Sequence, residues 1–394
     1  MVVQEVPALR YRKLPKSELT LSEIGLGCYS LTGAYGRKDG EAFARVLRRA
    51  FELGVTFFDT ADHYTGASEV LGRAVKGFRD KVVIATKVGV TEDGGRDLSP
   101  AHVKASCEDS LRRLGTDHVD LFQVHFDDPR TPVAETAGAM EELRAAGKIR
   151  EYGVGHLPPE RVAEWLATTG AVSVMMELSA ATRASRRGLL PLCTRHGAGA
   201  LAFSVTARGL LTGRIRPGHV FEEGDIRRID ALFQEGSFES GLRVAAKLGE
   251  IGAKHGKTPA QAAIAWVLAQ PGVVSALTGP SSLGHLEENL GASGFALGPD
   301  ELAELEALFS REDESLAAFR RGRMEAVLSG PLDPDPNAAW KDLVFVMEAA
   351  AEFGLIGEAR LLEIARPLLG ARRKGAQAAD LADVQRLLRE SLKA

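Results

Sequence analysis

The chain predicts an α/β fold: a (β/α)8 TIM barrel followed by a small all-helical appendix. Eight short apolar runs recur along it, each followed by a segment of helical period. The runs are apolar throughout rather than alternating, as strands covered on both faces of a parallel sheet are. No run leads into the GxGxxG turn that opens a doubly wound dinucleotide-binding sheet, because "GLGCYS" lacks the third glycine.

Taken in order, the strand candidates are "EIGLGCYS" (24–30), "VTFFDT" (55–60), "KVVIATKVG" (81–89) and "HVDLFQVHF" (118–126). Then come "IREYGVGH" (149–156), "AVSVMMEL" (171–178), "GALAFSV" (199–205) and "GVVSALTG" (272–279). The first helix candidate starts at Asp39 and stops at Gly54. Ser99 followed by Pro100, and Thr258 followed by Pro259, are N-cap and first-turn pairs that open two more. "TPVAETAGAMEELRAAG" supplies another. Residues 206–257 separate the last two strands by far more than an ordinary loop, and "SGLRVAAKLGEIGAKHG" within them reads as an extra helix. The expected organisation is a barrel over 1–310, a linker over 311–337 with the proline-rich "GPLDPDPNAAW", and a helical appendix over 338–394. Three amphipathic segments make up the appendix, at 338–353, 355–370 and 377–393.

The composition excludes several classes. A net charge of −4 and a pI near 6.2 give no nucleic-acid footprint and no polybasic membrane patch. Cys28, Cys107 and Cys193 show no CxxC spacing, so no metal centre or disulfide framework is expected, and the chain suits a reducing cytoplasm. No apolar run is long enough to span a membrane, and the N-terminus lacks a signal-peptide core.

In a parallel barrel, reactive side chains stand at the C-terminal strand ends. Asp59 ends the second run and Tyr64 follows in the loop above it; Lys87 ends the third and His125 the fourth. Such a set makes a proton donor. An ammonium favours phenolate, so Lys87 is expected to lower the Tyr64 pKa, with Asp59 holding the lysine. His125 would orient a carbonyl oxygen. Asp62, His63, Asp127 and Asp128 read as turn or rim residues, and Tyr29 and Phe126 as aromatics at the mouth.

These residues, with "GVTFFDTADHYTGASEVLGRA", "VVIATKVG", "SLRRLGTDHVDLFQVH", "AGKIREYGVG", "ARGLLTG" and "LEENLGA" in that order, resemble the aldo-keto reductases over about residues 10–308. The resemblance implies a TIM barrel that binds a nicotinamide cofactor without a Rossmann unit. It assigns Asp59, Tyr64, Lys87 and His125 to a catalytic tetrad.

Departures from the family pattern fall on the cofactor side. Gly155 and His156 stand where a Ser-Asn pair usually grips the nicotinamide amide. Met175 and Leu178 replace a Gln and a ring-stacking Tyr; a methionine can cover a ring but cannot make amide hydrogen bonds. The Ser-Pro-Leu after the seventh strand becomes Ser204, Val205 and Thr206. The "ARGLLTGR" turn, with Arg208, Gly209, Leu211 and Gly213, is expected to bring backbone donors and a cation to the pyrophosphate. "TGPSSLGHLEEN" corresponds to the phosphate-and-adenine loop, with Gly279, Ser281, Ser282, Glu288 and Asn289 as contacts. That stretch holds no Lys or Arg for a 2′-phosphate, so NAD is favoured over NADP. In this the chain looks like the branch of aldose 1-dehydrogenases, such as galactose and fucose dehydrogenases.

The expected activity is NAD(P)-dependent interconversion of a carbonyl and an alcohol on a small carbonyl compound or sugar. Two other readings use the same residues: a cofactor-binding regulatory or redox-sensing subunit, and a non-redox lyase or epimerase. The helical appendix is an expected route to a homo-oligomer or a protein partner.

Overall fold

A computed structural model describes residues 7–36, 39–357 and 378–392, with Arg360, 363–365 and Leu368. All eight expected strands are present, and they close into one parallel barrel: β3 (Ile24–Gly27), β4 (Phe57–Asp59), β5 (Val83–Val88), β6 (Val119–Val124), β7 (Ile149–Gly155), β8 (Ser173–Glu177), β9 (Gly199–Phe203) and β10 (Val273–Thr278). Closure comes from β10 pairing with β3 through Ala276↔Ile24, Leu277↔Gly25 and Thr278↔Leu26.

Two short antiparallel strands, β1 (Tyr11–Lys13) and β2 (Thr20–Ser22), precede the barrel. The apolar pattern of the sequence missed them, because three residues are too few to show a period. Leu14 and Leu21 from this hairpin are fully buried in one cluster with Phe57, Leu121, Leu201 and Val274. Ser22 Oγ accepts from the Thr56 and Phe57 amides, so the hairpin sits against the N-terminal ends of the strands and closes the barrel floor.

The helices form where their capping chemistry allows. Asp39 caps α1 (Gly40–Glu52) by accepting from the Glu41 and Ala42 amides. Gly66, at φ +75°, admits α2 (Ala67–Val75) in a conformation that a side chain would strain. A Cβ on Gly72 would lie 2.1 Å from the Leu114 carbonyl oxygen, so only glycine lets α2 pack against α3 (Pro100–Leu114). Next come α4 (Val133–Ala145), α5 (Pro159–Thr168), α6 (Ala184–Gly188) and α7 (Leu190–His196). The long insertion contains α8 (Ser237–Lys254), and Thr258 with Gln261 makes a capping box for α9 (Pro259–Leu268), worth about 1 kcal/mol. Ser282 caps α10 (Leu283–Leu290).

The chain divides into two compact units, Met1–Glu306 and Ala307–Ala394. The boundary falls inside α11 (Pro299–Ser329), so residues 311–329, expected as linker, are helical. In the second unit, α12 (Pro336–Glu352) and the helix Ala378–Ser391 pack Leu343, Val346, Leu381, Val384 and Leu388 into one buried cluster. The apolar faces expected to meet another protein are thus spent within the unit, and oligomerisation through them has no support. The segment expected at 355–370 lies largely outside the described residues. Among the described residues, no helix is long and apolar enough to cross a membrane.

Candidate active site

The four strand-end groups converge at the barrel mouth. Lys87 Nζ donates to Asp59 Oδ1 at 2.6 Å and to the Thr60 carbonyl oxygen at 2.7 Å. Lys87 is 2% exposed and Asp59 5%. A pair this deep is sustained by its own geometry: removing one partner strands a charge away from water, which costs about 3–5 kcal/mol. Above the pair, the Lys87 ammonium lies 5.1 Å from the centre of the Tyr64 ring.

Tyr64 is held there by its backbone. Its amide donates to the Ala61 carbonyl, its carbonyl accepts from the Ala67 amide, and the Thr60 and Asp62 amides donate to Ala85 and Lys87 on β5. The loop after β4 is therefore stitched to the next strand, which sets the phenol over the lysine. His125 is placed by its amide donating to the Val88 carbonyl. The His125 ring centre is 6.0 Å from that of Tyr64.

The electrostatics correct one expectation. The Tyr64 pKa is not lowered. Burial first, then the Asp59 carboxylate, push it well above 10, because the lysine's charge is already committed to Asp59. The phenol is therefore a proton holder at rest. Burial, followed by the Lys87 charge, drives the His125 pKa well below the usual imidazole value, so His125 is neutral and can donate a hydrogen bond.

Aromatic rings wall the mouth. Tyr29 lies edge-on to Tyr64 at 5.2 Å and to Tyr35 at 5.8 Å. His125 stacks on Phe126 at 4.4 Å, and His156 lies 4.7 Å from Phe203. His156 has φ +51° and is exposed where the cleft opens, yet it is ringed by protein inside it. That crowding, and next Lys87, push its pKa down to about 4. His63, read as a turn residue, lies 4.9 Å from Tyr64 and 4.8 Å from His125, ring centre to ring centre. Asp128 does shape a turn, accepting from the Leu98 and Arg130 amides, and Asp127 pairs with Arg161.

The cofactor-side residues divide. Ser204, Ala207, Arg208 and Gly209 all have positive φ, with Gly213 a few residues on, so the backbone coils tightly there, the geometry that makes anion-binding concavities. Leu211 is fully buried beneath this turn. Gly279 faces the Gly27 carbonyl with 4.0 Å of room, Ser282 caps α10 by accepting from the His285 amide, and Ser281 Oγ lies 2.9 Å from His285 Nδ1. Glu288 pairs with Arg214, and Asn289 is buried. These residues lie together at the start of α10 and along it, the segment that the resemblance assigns to phosphates and adenine.

Two others are placed differently from expectation. Met175 is 2% exposed and belongs to the barrel's interior cluster, next to Gly155, so it serves packing. The Arg208 guanidinium is held by Glu177 at 2.6 Å and Asp230 at 2.9 Å, an inward clamp of two carboxylates, instead of standing ready for a pyrophosphate. Leu178 is fully buried. Sequence reasoning passed over Glu177, although the strand-end rule that found Lys87 would have found it. Asp230 and Tyr35 come from loops with no local signal.

A closed parallel barrel whose strand ends bring a buried Lys–Asp pair beneath a tyrosine, with a histidine beside it, is a barrel enzyme with its proton-transfer groups gathered at the mouth. The aldo/keto reductase family profile matches residues 23–309, and the chain belongs to that family. It is 35% identical to an aldo-keto reductase of Strobilurus tenacellus over 80% of this chain and 96% of that one. It is 31% identical to an aldo-keto reductase of Bacillus subtilis over 76% and 93%. A glycerol dehydrogenase of Gluconobacter oxydans superposes with a TM-score of 0.71 at 29% identity, covering 82% of this chain and 98% of that one. A holo aldo-keto reductase of Bacillus halodurans gives 0.64 at 31%, covering 76% and 96%. The chain is an NAD(P)-dependent oxidoreductase acting between carbonyls and alcohols.

Proposed function

We propose that Tyr64 protonates the oxygen of a small carbonyl substrate, with His125 orienting that oxygen and the Asp59–Lys87 pair fixing the phenol. The observation that carries this is the buried 2.6 Å Lys87–Asp59 contact beneath the Tyr64 ring. The dinucleotide, when bound, supplies or removes the hydride. Everything else is done by the chain. Neutral His125 donates to the carbonyl oxygen and polarises it. Tyr64, protonated at rest, passes its proton as charge develops on that oxygen. The rings of Tyr29, Tyr35, Phe126 and Phe203 keep water away from the reacting carbon.

The raised Tyr64 pKa sets the pH dependence of the two directions. Carbonyl reduction needs the phenol and finds it ready. Alcohol oxidation needs the phenolate, which burial and Asp59 oppose, so the oxidation rate should keep rising with pH through the alkaline range.

NAD is the proposed partner over NADP. The α10 turn offers Ser281 and Ser282, and the arginines that reach it, Arg214 and Arg49, pair with Glu288 and Glu287. A 2′-phosphate would have to break such a pair. Small polyhydroxylated carbonyls are the proposed substrates, since hydroxyl-bearing rings and imidazoles line the mouth. The superposing structure named as a glycerol dehydrogenase supports this class. Parallel fluorescence titrations with NADH and NADPH test the cofactor reading, and tighter NADPH binding would reverse it. Turnover by Tyr64→Phe at an undiminished rate would overturn the acid assignment.

A further inference from the structure

We propose that Asp62, His63 and His125 form a binding site for a divalent transition-metal ion, Zn2+ being the best chemical match. One carboxylate oxygen of Asp62 and one ring nitrogen from each histidine lie within 4.8 Å of one another. Asp62 Oδ1 and His63 Nδ1 are 3.1 Å apart. A tetrahedral ion with bonds of about 2.0–2.1 Å spaces its ligands by roughly 3.3 Å, so this pair already has a ligand spacing.

Two features make the third ligand accessible. The His63 side chain is 34% exposed, so its ring can shift to close the remaining separation, at most 4.8 Å, against solvent and not packed core. His125 is 2% exposed, and its Nδ1 has no hydrogen-bond partner among the described residues. Buried polar nitrogens are usually paired, so this one has capacity for a ligand that the described residues do not supply. Asp62 is anchored meanwhile: its carbonyl oxygen accepts from Arg113 at 2.6 Å and its Oδ2 from Ser106 Oγ at 3.5 Å.

Ligand chemistry selects the ion. Two imidazoles and one carboxylate suit Zn2+ and its neighbours, whereas Mg2+ and Ca2+ seek oxygen. Three protein ligands leave a fourth position open to water or to a substrate oxygen. Neighbouring positions 62 and 63 and the distant 125 share no spacing motif, so the site cannot be read from residue order alone.

The consequence is inhibition. An ion bound there, with its open position beside His125 and Tyr64, competes for the space of the carbonyl oxygen; this part rests on the role given to His125 above, while binding does not. The test is equilibrium dialysis of the chelator-treated full-length chain against Zn2+, with Mg2+ as control and Co2+ absorption as an independent readout, in wild type, Asp62→Asn and His63→Ala. The expected result is about one Zn2+ more per wild-type chain than per variant chain, an affinity loss of at least tenfold in each variant, no Mg2+ uptake, and carbonyl reduction that falls as the site fills. Equal Zn2+ and Co2+ uptake by all three proteins overturns the site. Uptake that depends on both residues but leaves reduction intact keeps the site and overturns the role of His125.

Discussion

The two halves of the barrel mouth are built on opposite terms. On the β4–β6 side, Asp59, Lys87 and His125 are buried, at 5%, 2% and 2% exposure, and tied by short bonds to one another or to neighbouring strands. On the β7–β9 side, His156 stands exposed, Met175 has withdrawn into the core, and Arg208 is held by two carboxylates. The first half is held by bonds among its own groups. The second commits its cation to two carboxylates. Groups that tolerate little displacement stand on strands, while the Arg208 clamp is assembled from a strand end, a turn and an insertion.

The sharpest way to break this contrast is Tyr64→Phe. It should lower the rate of carbonyl reduction by about 10²–10⁴-fold, the span of a lost general acid, with NADH affinity measured by fluorescence nearly unchanged. An equal loss of affinity would show that the two halves are not separable. Next comes Lys87→Met, which strands the Asp59 carboxylate. Stability in urea should fall by about 3–5 kcal/mol, whereas a loss under 1 kcal/mol would mean that the pair is not buried in solution. The protonation of His125 offers a milder probe. Its pKa lies below the unfolded value, so the unfolded chain binds the proton first. Its share of stability is intact above about pH 6.5 and drains away as pH falls toward the folded value. His125→Gln should flatten that acid limb in urea titrations. The smallest effect belongs to the other half: Asp230→Asn loosens one side of the Arg208 clamp and should change the cofactor Kd only a few-fold, about 1 kcal/mol or less.

The legibility of the sequence follows the same division. All eight strands could be read because buried parallel strands are unbroken apolar runs, and Asp59, Lys87 and His125 because they end them. The hairpin at 11–22 was too short to show a pattern. Helix α11 runs on to Ser329 through residues whose polarity suggested a connector, since an exposed helix can be polar all round. The direction of the Tyr64 shift was misjudged because the outcome depends on how much water burial removes, which no residue name records. Glu177 was legible but overlooked. Its bond to Arg208 was not, since Asp230 completes the clamp from an insertion whose path no local pattern sets.

The hairpin at the barrel floor has one more consequence. With Leu14 and Leu21 buried against Phe57, Leu121, Leu201 and Val274, that end of the barrel is solid core. It can therefore carry stability alone, and a cavity cut there, for example by Leu21→Ala, weakens the whole barrel while leaving in place the strand ends that hold Asp59, Lys87 and His125 at the opposite face.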